Sequence, residues 1–168
     1  MAKDPSVAEK GRSRPEDNNQ VKEVHKNVLF APGTLKDDEL FLEPAGFAPH
    51  PVHKVPTYYL RMLYAGSRQE LGAINLRVGN TPHVELYAGH VGYVVHPAYC
   101  ENRYAARSIR LLIPVARKLG LNPLWITCDP ENRGSRRSCE LAGAQFVQIV
   151  DVPENCTVHR AGHKQKCR

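Results

Sequence analysis

The stretch YVVHPAYCENRYAARSIRLLIPVARKLG, residues 93–120, decides how the rest of the chain is read. It opens as a β-branched and aromatic run, tightens into the polar knot CENRYAA at residues 100–106, and continues with an apolar period of helical type. Ala105, Ile109, Leu112, Ile113 and Ala116 recur on one helical face, Gly120 supplies a left-handed stop, and Pro114 within the run predicts a bend. The knot therefore falls between the C-terminal end of a strand and the N-terminus of a helix. Unpaired backbone amides and the helix dipole make that junction a site for phosphate or a similar anion.

Downstream, PLWITCD at residues 123–129 is a continuous apolar run of strand length, the pattern of a buried central strand. Asn132 caps a second helix, RGSRRSCELA, which Gly143 ends, and AQFVQIVDV alternates as a final long strand. Upstream, residues 84–96 read as one long strand whose Gly89 and Gly92 signal a bulge or a close backbone approach. Residues 57–65 and 70–78 pair as a hairpin across the turn GSRQ, and ELFLEP forms a short strand. PAGFAPHPVHKVP behind it is too rich in proline for a helix and reads as a loop. The element order predicts an α/β (α+β) fold with a mixed, mostly antiparallel sheet flanked by helices. A polar, disordered arm over residues 1–26 precedes a single domain over residues 27–168.

Hydrophobic content of 42% and charged content of 24% over 168 residues are ordinary for one globular domain. The net charge of +6 suits an anionic partner, but several of the bases lie in the two tails, so the excess reads first as a solvated surface. Five cysteines, an odd number, with no basic start followed by an apolar leader, point to reduced thiols in a cytoplasmic protein. No apolar run approaches the ~18 residues of a membrane span, so no membrane partner is expected. Arg133, Arg136 and Arg137 have no aromatic platform beside them, which ranks nucleic acid last among the partners.

With a strand, a polar knot and a helix followed by a strand, N-x-x-S and a second helix, the chain resembles the GNAT superfamily of acyl-CoA-dependent N-acetyltransferases. The first family motif, V-x-P followed by R-x-x-G-x-G/A, is met by Val95-His96-Pro97 and the run from Cys100 to Ala105. The second, N-x-x-A/S-x-x-x-Y-x-x-x-G, is met by Asn132, Ser135, Cys139 and Gly143. The resemblance implies acetyl-CoA as acyl donor and an amine acceptor. It places the pantetheine arm along the strand edge at Tyr93, Val94 and Val95, the pyrophosphate at Arg103, Tyr104 and Ala105, and the thiol end beside Asn132 and Ser135. Departures from the pattern are Cys100 for Arg or Gln, Arg103 for Gly and Cys139 for the Tyr that reprotonates the leaving thiolate. Glu101 adds a negative charge beside the expected pyrophosphate, which the Arg103 guanidinium can offset.

For the base that a protonated amine requires, alternation along the predicted strand puts Glu85 on the face of Val91 and Tyr93. An exposed carboxylate with no role is the equal alternative. Water reprotonates the leaving thiolate or, as the lesser option, Cys139 is the acid, against the stronger tendency of a free cysteine simply to pack. His50 and His53 occupy the proline-rich loop where relatives carry the helices that shape the acceptor site. The tail spacing C-x2-H-x3-H-x3-C, from Cys156, His159, His163 and Cys167, offers zinc-type ligands but does not follow the usual order and reads as accident; no metal is expected. Relatives carry a further C-terminal strand that KQKCR would only be starting, which implies a shortened strand and a sheet edge open to a homodimer. The function implied is acetyl transfer from acetyl-CoA to a primary amine in a ternary complex. A non-catalytic acyl-CoA-binding module is the alternative.

Overall fold

The computed structural model describes residues 35–168. The strands β1 (Leu40–Pro49), β2 (Pro56–Tyr64), β3 (Glu70–Arg77) and β4 (Val91–Val95) form an antiparallel sheet in the order β1-β2-β3-β4. The helices α1 (Tyr104–Lys118) and α2 (Arg133–Ala142) follow, then β5 (Ile149–Asp151), the short α3 (Thr157–Arg160) and β6 (Gln165–Cys167). β5 and β6 pair as a separate antiparallel ribbon. The predicted arm over residues 1–26 lies outside the described residues.

Alternation on the strands and the 3.6-residue period of α1 meet in one core. Leu40, Leu42, Leu60, Met62, Ile74 and Leu76 project from one face of the sheet onto Ala106, Ile109, Leu112, Val115 and Ala116 of α1. Full burial of each large aliphatic side chain contributes about 1.5–3 kcal/mol. Pro114 lies on the exposed side of α1, and Gly120, at φ 78°, follows the helix end as the spacing predicts. Arg107 fixes the start of α1 by bonding Asp37 through Nε (2.8 Å) and Nη2 (2.6 Å), and Glu39 through Nη1 (2.8 Å).

Four expectations are corrected. The proline-rich loop is largely strand: β1 continues to Pro49 with a register shift between Pro44 and Gly46. As an edge strand, β1 tolerates residues that cannot donate to a ladder. The strand predicted over residues 84–96 is interrupted, because Val84–Ala88 is a π-helical turn. Thr81 starts that turn, accepting from the Val84 amide at Oγ1 (3.2 Å) and from the Glu85 amide at its carbonyl (2.9 Å). Gly89 ends it at φ 70°, where an added Cβ would lie 2.9 Å from the Thr127 nitrogen. Residues 123–129 are extended but only half-buried and join no ladder beyond a single bridge from Cys128 to Cys167. The final long strand shrinks to Ile149–Asp151, leaving Phe146 65% exposed.

Candidate functional site: a cleft beside β4

Among the described residues β4 pairs only with β3, and its other edge faces residues 123–128 without a ladder. One bracket closes the gap at the start of β4. The His90 amide donates to the Trp125 carbonyl (2.7 Å), and the Trp125 amide donates to His90 Nδ1 (2.9 Å). Because Nδ1 accepts, the proton of the neutral ring sits on Nε2 and points to Asn80 Oδ1, 3.2 Å away. His90 is fully buried, and burial pulls its pKa down, which keeps the ring neutral. Beyond the bracket the two segments diverge around a cleft of about 1070 Å³.

At the C-terminal end of β4 the cleft is lined by the knot, including Cys100, Glu101, Arg103, Tyr104 and Ala105. Pro97–Tyr99 is a single 3-10 turn, and the Asn102 side-chain amide ties it down by donating to the carbonyls of Tyr99 (3.3 Å) and Cys100 (3.2 Å). The chain then enters α1 through two left-handed residues, Glu101 (φ 73°) and Arg103 (φ 59°). The first-turn amides of Tyr104, Ala105 and Ala106 have no intrahelical acceptor, so the positive end of a 15-residue helix opens on the cleft.

Tyr93, Val94 and Val95 form the β4 wall, and Asn132, Ser135 and Ser138 stand opposite on the start of α2. Asn132 caps α2 as its position predicts, with Oδ1 accepting from the Ser135 amide (2.9 Å). Ser135 Oγ lies 2.8 Å from the Tyr93 hydroxyl, which bridges the two walls. Burial pushes the Tyr93 phenol up to about 12, so it stays a neutral donor. Cys139 sits behind this pair and is not among the cleft-lining residues. Burial pushes its thiol up to about 11, a shift that contact with Tyr93 only partly offsets.

A second polar group lines the cleft where the C-terminal segment meets the strand remnant. Asp129 accepts from His163 Nδ1 through Oδ2 (2.8 Å) and from Lys166 Nζ through Oδ1 (2.7 Å). Partial burial raises the Asp129 pKa, but the Lys166 bond and charge together with His163 outweigh it, and the carboxyl is held below its ordinary value. With Nδ1–H engaged by a carboxylate, His163 carries its lone pair on Nε2.

Glu85 is placed on the π-helical turn, where alternation no longer applies, and it does not line the cleft. Its carbonyl accepts from Arg168 Nη1 (3.3 Å), whose guanidinium carbon stacks 3.7 Å over the Trp125 ring. His53 does line the cleft, near Arg77 and Tyr87. Its Nδ1 is 2.8 Å from His83 Nε2, and His83 Nδ1 is 3.6 Å from Cys156 Sγ. Burial and then the Arg77 charge pull the His53 pKa down to about 3. Three of the four tail residues with zinc-type spacing go to separate partners: Cys156 to His83, His163 to Asp129 and Cys167 to Cys128. No group of three or more His, Cys, Asp or Glu among the described residues is arranged to hold a metal.

Sequence reasoning passed over Asp129, Lys166 and Arg77. Asp129 ends an apolar run, a position open to inspection, but its partners lie 34 and 37 residues away and share no local period with it.

Residues 14–145 match the family model of the acetyltransferase (GNAT) domain, which begins inside the stretch expected to be an arm. A solved Vibrio cholerae protein assigned as a ribosomal-protein-serine acetyltransferase is 22% identical with a TM-score of 0.49, covering 66% of this chain and 60% of its own. The microcin C7 self immunity acetyltransferase MccE, solved with acetyl-CoA and AMP, is 13% identical with a TM-score of 0.45, covering 66% of this chain and 58% of its own. This chain therefore spans less than two thirds of either neighbour. No curated protein gives a significant match.

Proposed function

Because the chain belongs to the GNAT acetyltransferase family, we propose that it is an acyltransferase, which moves an acetyl group from acetyl-CoA to a primary amine by direct attack in a ternary complex. One observation carries the reading: a single cleft joins the open N-terminus of α1, the free edge of β4 and two proton-carrying groups, Tyr93 and Asp129–His163.

Acetyl-CoA would supply the thioester carbonyl that the amine attacks. The first-turn amides of α1, with Arg103, suit its phosphates, and the β4 edge at Tyr93, Val94 and Val95 suits its pantetheine arm. Asn132 and Ser135 stand at its thiol end. An unperturbed primary amine, with a pKa near 10.4, is mostly protonated at neutral pH, so a base must take its proton. His163 Nε2 fills that role, oriented by Asp129. His53, pulled down to about 3, is too weak a base. The Tyr93 hydroxyl, held neutral, keeps a proton for the departing sulfur in place of the tyrosine that position 139 lacks. Free thiols at all five cysteines accord with a cytoplasmic setting; among the described residues no helix is long and apolar enough to cross a membrane.

The test follows free thiol release from acetyl-CoA across a panel of amines, with calorimetric titration of acetyl-CoA alongside. His163→Gln and Tyr93→Phe are each expected to lower kcat by on the order of 10²-fold with little change in acetyl-CoA affinity. Glu85→Gln and Cys139→Ala should stay close to wild type, and a collapse of turnover in either would return the base or the acid to that residue. Binding without release over the whole panel would overturn the transfer reading.

A further inference from the structure

Arg77 is the last residue of β3 and lines the cleft at the end away from the knot. It is only 7% exposed, yet it forms no ion pair with a carboxylate of the described residues. Nη1 donates to the carbonyls of Ala88 (3.1 Å) and Gly89 (3.0 Å). Among the described residues the buried Nε has no acceptor. The other buried cation of the cleft, Lys166, has its carboxylate in Asp129. A buried charge costs several kcal/mol unless it is paired. Two carbonyl contacts through one nitrogen leave most of this guanidinium's donors unspent.

Gly92 of β4 keeps the approach clear. It too lines the cleft, and a Cβ there would lie 2.8 Å from Arg77 Nη2 and 3.1 Å from Asn75 Oδ1. The register explains the grouping: Asn75 pairs with Gly92 across the β3–β4 ladder, and Arg77 projects from the same face two residues on. The imidazoles nearest this charge are of no help in neutralising it. Burial and the Arg77 charge lower the pKa of His53, which lines the cleft, and of His50 and His83 near it, so these rings stay neutral beside the guanidinium.

We propose that Arg77 is an anion subsite for the acceptor, which bears a compact oxyanion, carboxylate or phosphate, close to the amine that is acetylated. This rests on the acetyl-transfer reading above and narrows its acceptor class from any primary amine to an amino acid or aminoalkyl phosphate. The guanidinium, always charged and able to grip two oxygens at once, selects the oxyanion by hydrogen bonds that a neutral amine cannot return.

The experiment uses matched probes. Glycine is compared with glycinamide, and 2-aminoethyl phosphate with ethanolamine, by thiol release in wild type, Arg77→Gln and Gly92→Val. In wild type the anionic member of at least one pair should show a kcat/KM about tenfold higher or more, the loss expected for one charge-assisted bond. Preference in the first pair identifies a carboxylate and in the second a phosphate. Both variants should abolish the preference, Gly92→Val doing so by crowding the approach while the arginine itself is kept, should Arg77→Gln not fold. Equal use of both members by wild type, or a preference that survives both variants, overturns the subsite and leaves Arg77 as a strut for the bend at Gly89. Calorimetric titration of N-acetylglycine and of inorganic phosphate separates the two readings. If no amine turns over but either probe binds wild type about tenfold tighter than the variants, the subsite stands and the transfer reading falls. If neither probe discriminates, the subsite falls.

Discussion

Arg103 shows at the scale of one residue how this chain differs from its family pattern. The entry into α1 requires a left-handed conformation, which the pattern meets with glycine and which Arg103 adopts at φ 59°. A side chain in that region costs roughly 1–2 kcal/mol. Arg103→Gly should therefore raise the thermal midpoint by a few degrees, on the scaling of about 2–4 °C per kcal/mol for a protein of this size. The same change removes the cation set against Glu101, so acetyl-CoA should bind more weakly even as the fold gains stability. A variant that is both more stable and equally tight would show that Arg103 does nothing for the donor. The need for a special residue here was legible from the motif. The proton donor proposed above was not: the missing family tyrosine leaves water or Cys139 to the sequence, whereas the Tyr93 hydroxyl reaches Ser135 across 42 residues. Likewise, alternation favours Glu85 only while a strand continues through it.

At the scale of elements, α1 formed where period and glycine stop agreed and α2 where cap and glycine stop agreed, because helical signals are local. The strands were less legible. Whether residues 123–129 pair depends on what lies beside them, and their partner is the His90 bracket rather than a ladder. That bracket makes a specific expectation. His90→Leu removes the acceptor of the Trp125 amide inside a buried site, a loss of about 1–3 kcal/mol. The thermal midpoint should fall by several degrees, and the Trp125 amide should exchange with solvent faster than those of β2. A variant with unchanged exchange at Trp125 would mean that Gly89 and Thr127 alone hold the two segments together. The π-helical turn hides behind the same kind of context: its residues, VELYA, have strand-forming character, and Thr81 decides otherwise by capping the turn.

For the whole molecule, the neutral histidines set the response to acid. His50, His53, His83 and His90 all have folded pKa values below the ordinary 6.5, chiefly through burial, with the Arg77 charge adding to it. Below pH 6.5 the unfolded chain takes up protons that the folded chain refuses, so the stability these groups confer is complete above that pH and drains away as pH falls, down to about 3 for His53. Each contributes at most about 1.4 kcal/mol per pH unit, less where solvent screens the ring. Melting curves between pH 8 and 5 should show a midpoint that drops steadily below pH 6.5, with His53→Gln softening the slope. A midpoint that is flat to pH 5 would mean that these rings accept protons freely in the fold. None of this convergence is legible in the chain, because the partners of each ring are chosen by topology and not by spacing.

The open side of the cleft carries a final consequence. The main core joins the sheet to α1 and reaches Ala142 of α2, whereas Val152, Val158 and Cys167 are buried outside that cluster, on the far bank. Between the banks run the His90 bracket, the Tyr93–Ser135 bond, the bond from Thr127 Oγ1 to the Tyr87 carbonyl (2.9 Å) and the packing of Leu124 and Ile126 against the core. A donor lying along the cleft would touch both banks at once and act as a keystone. The enzyme would then be loosest between turnovers, and its substrate would be part of its architecture.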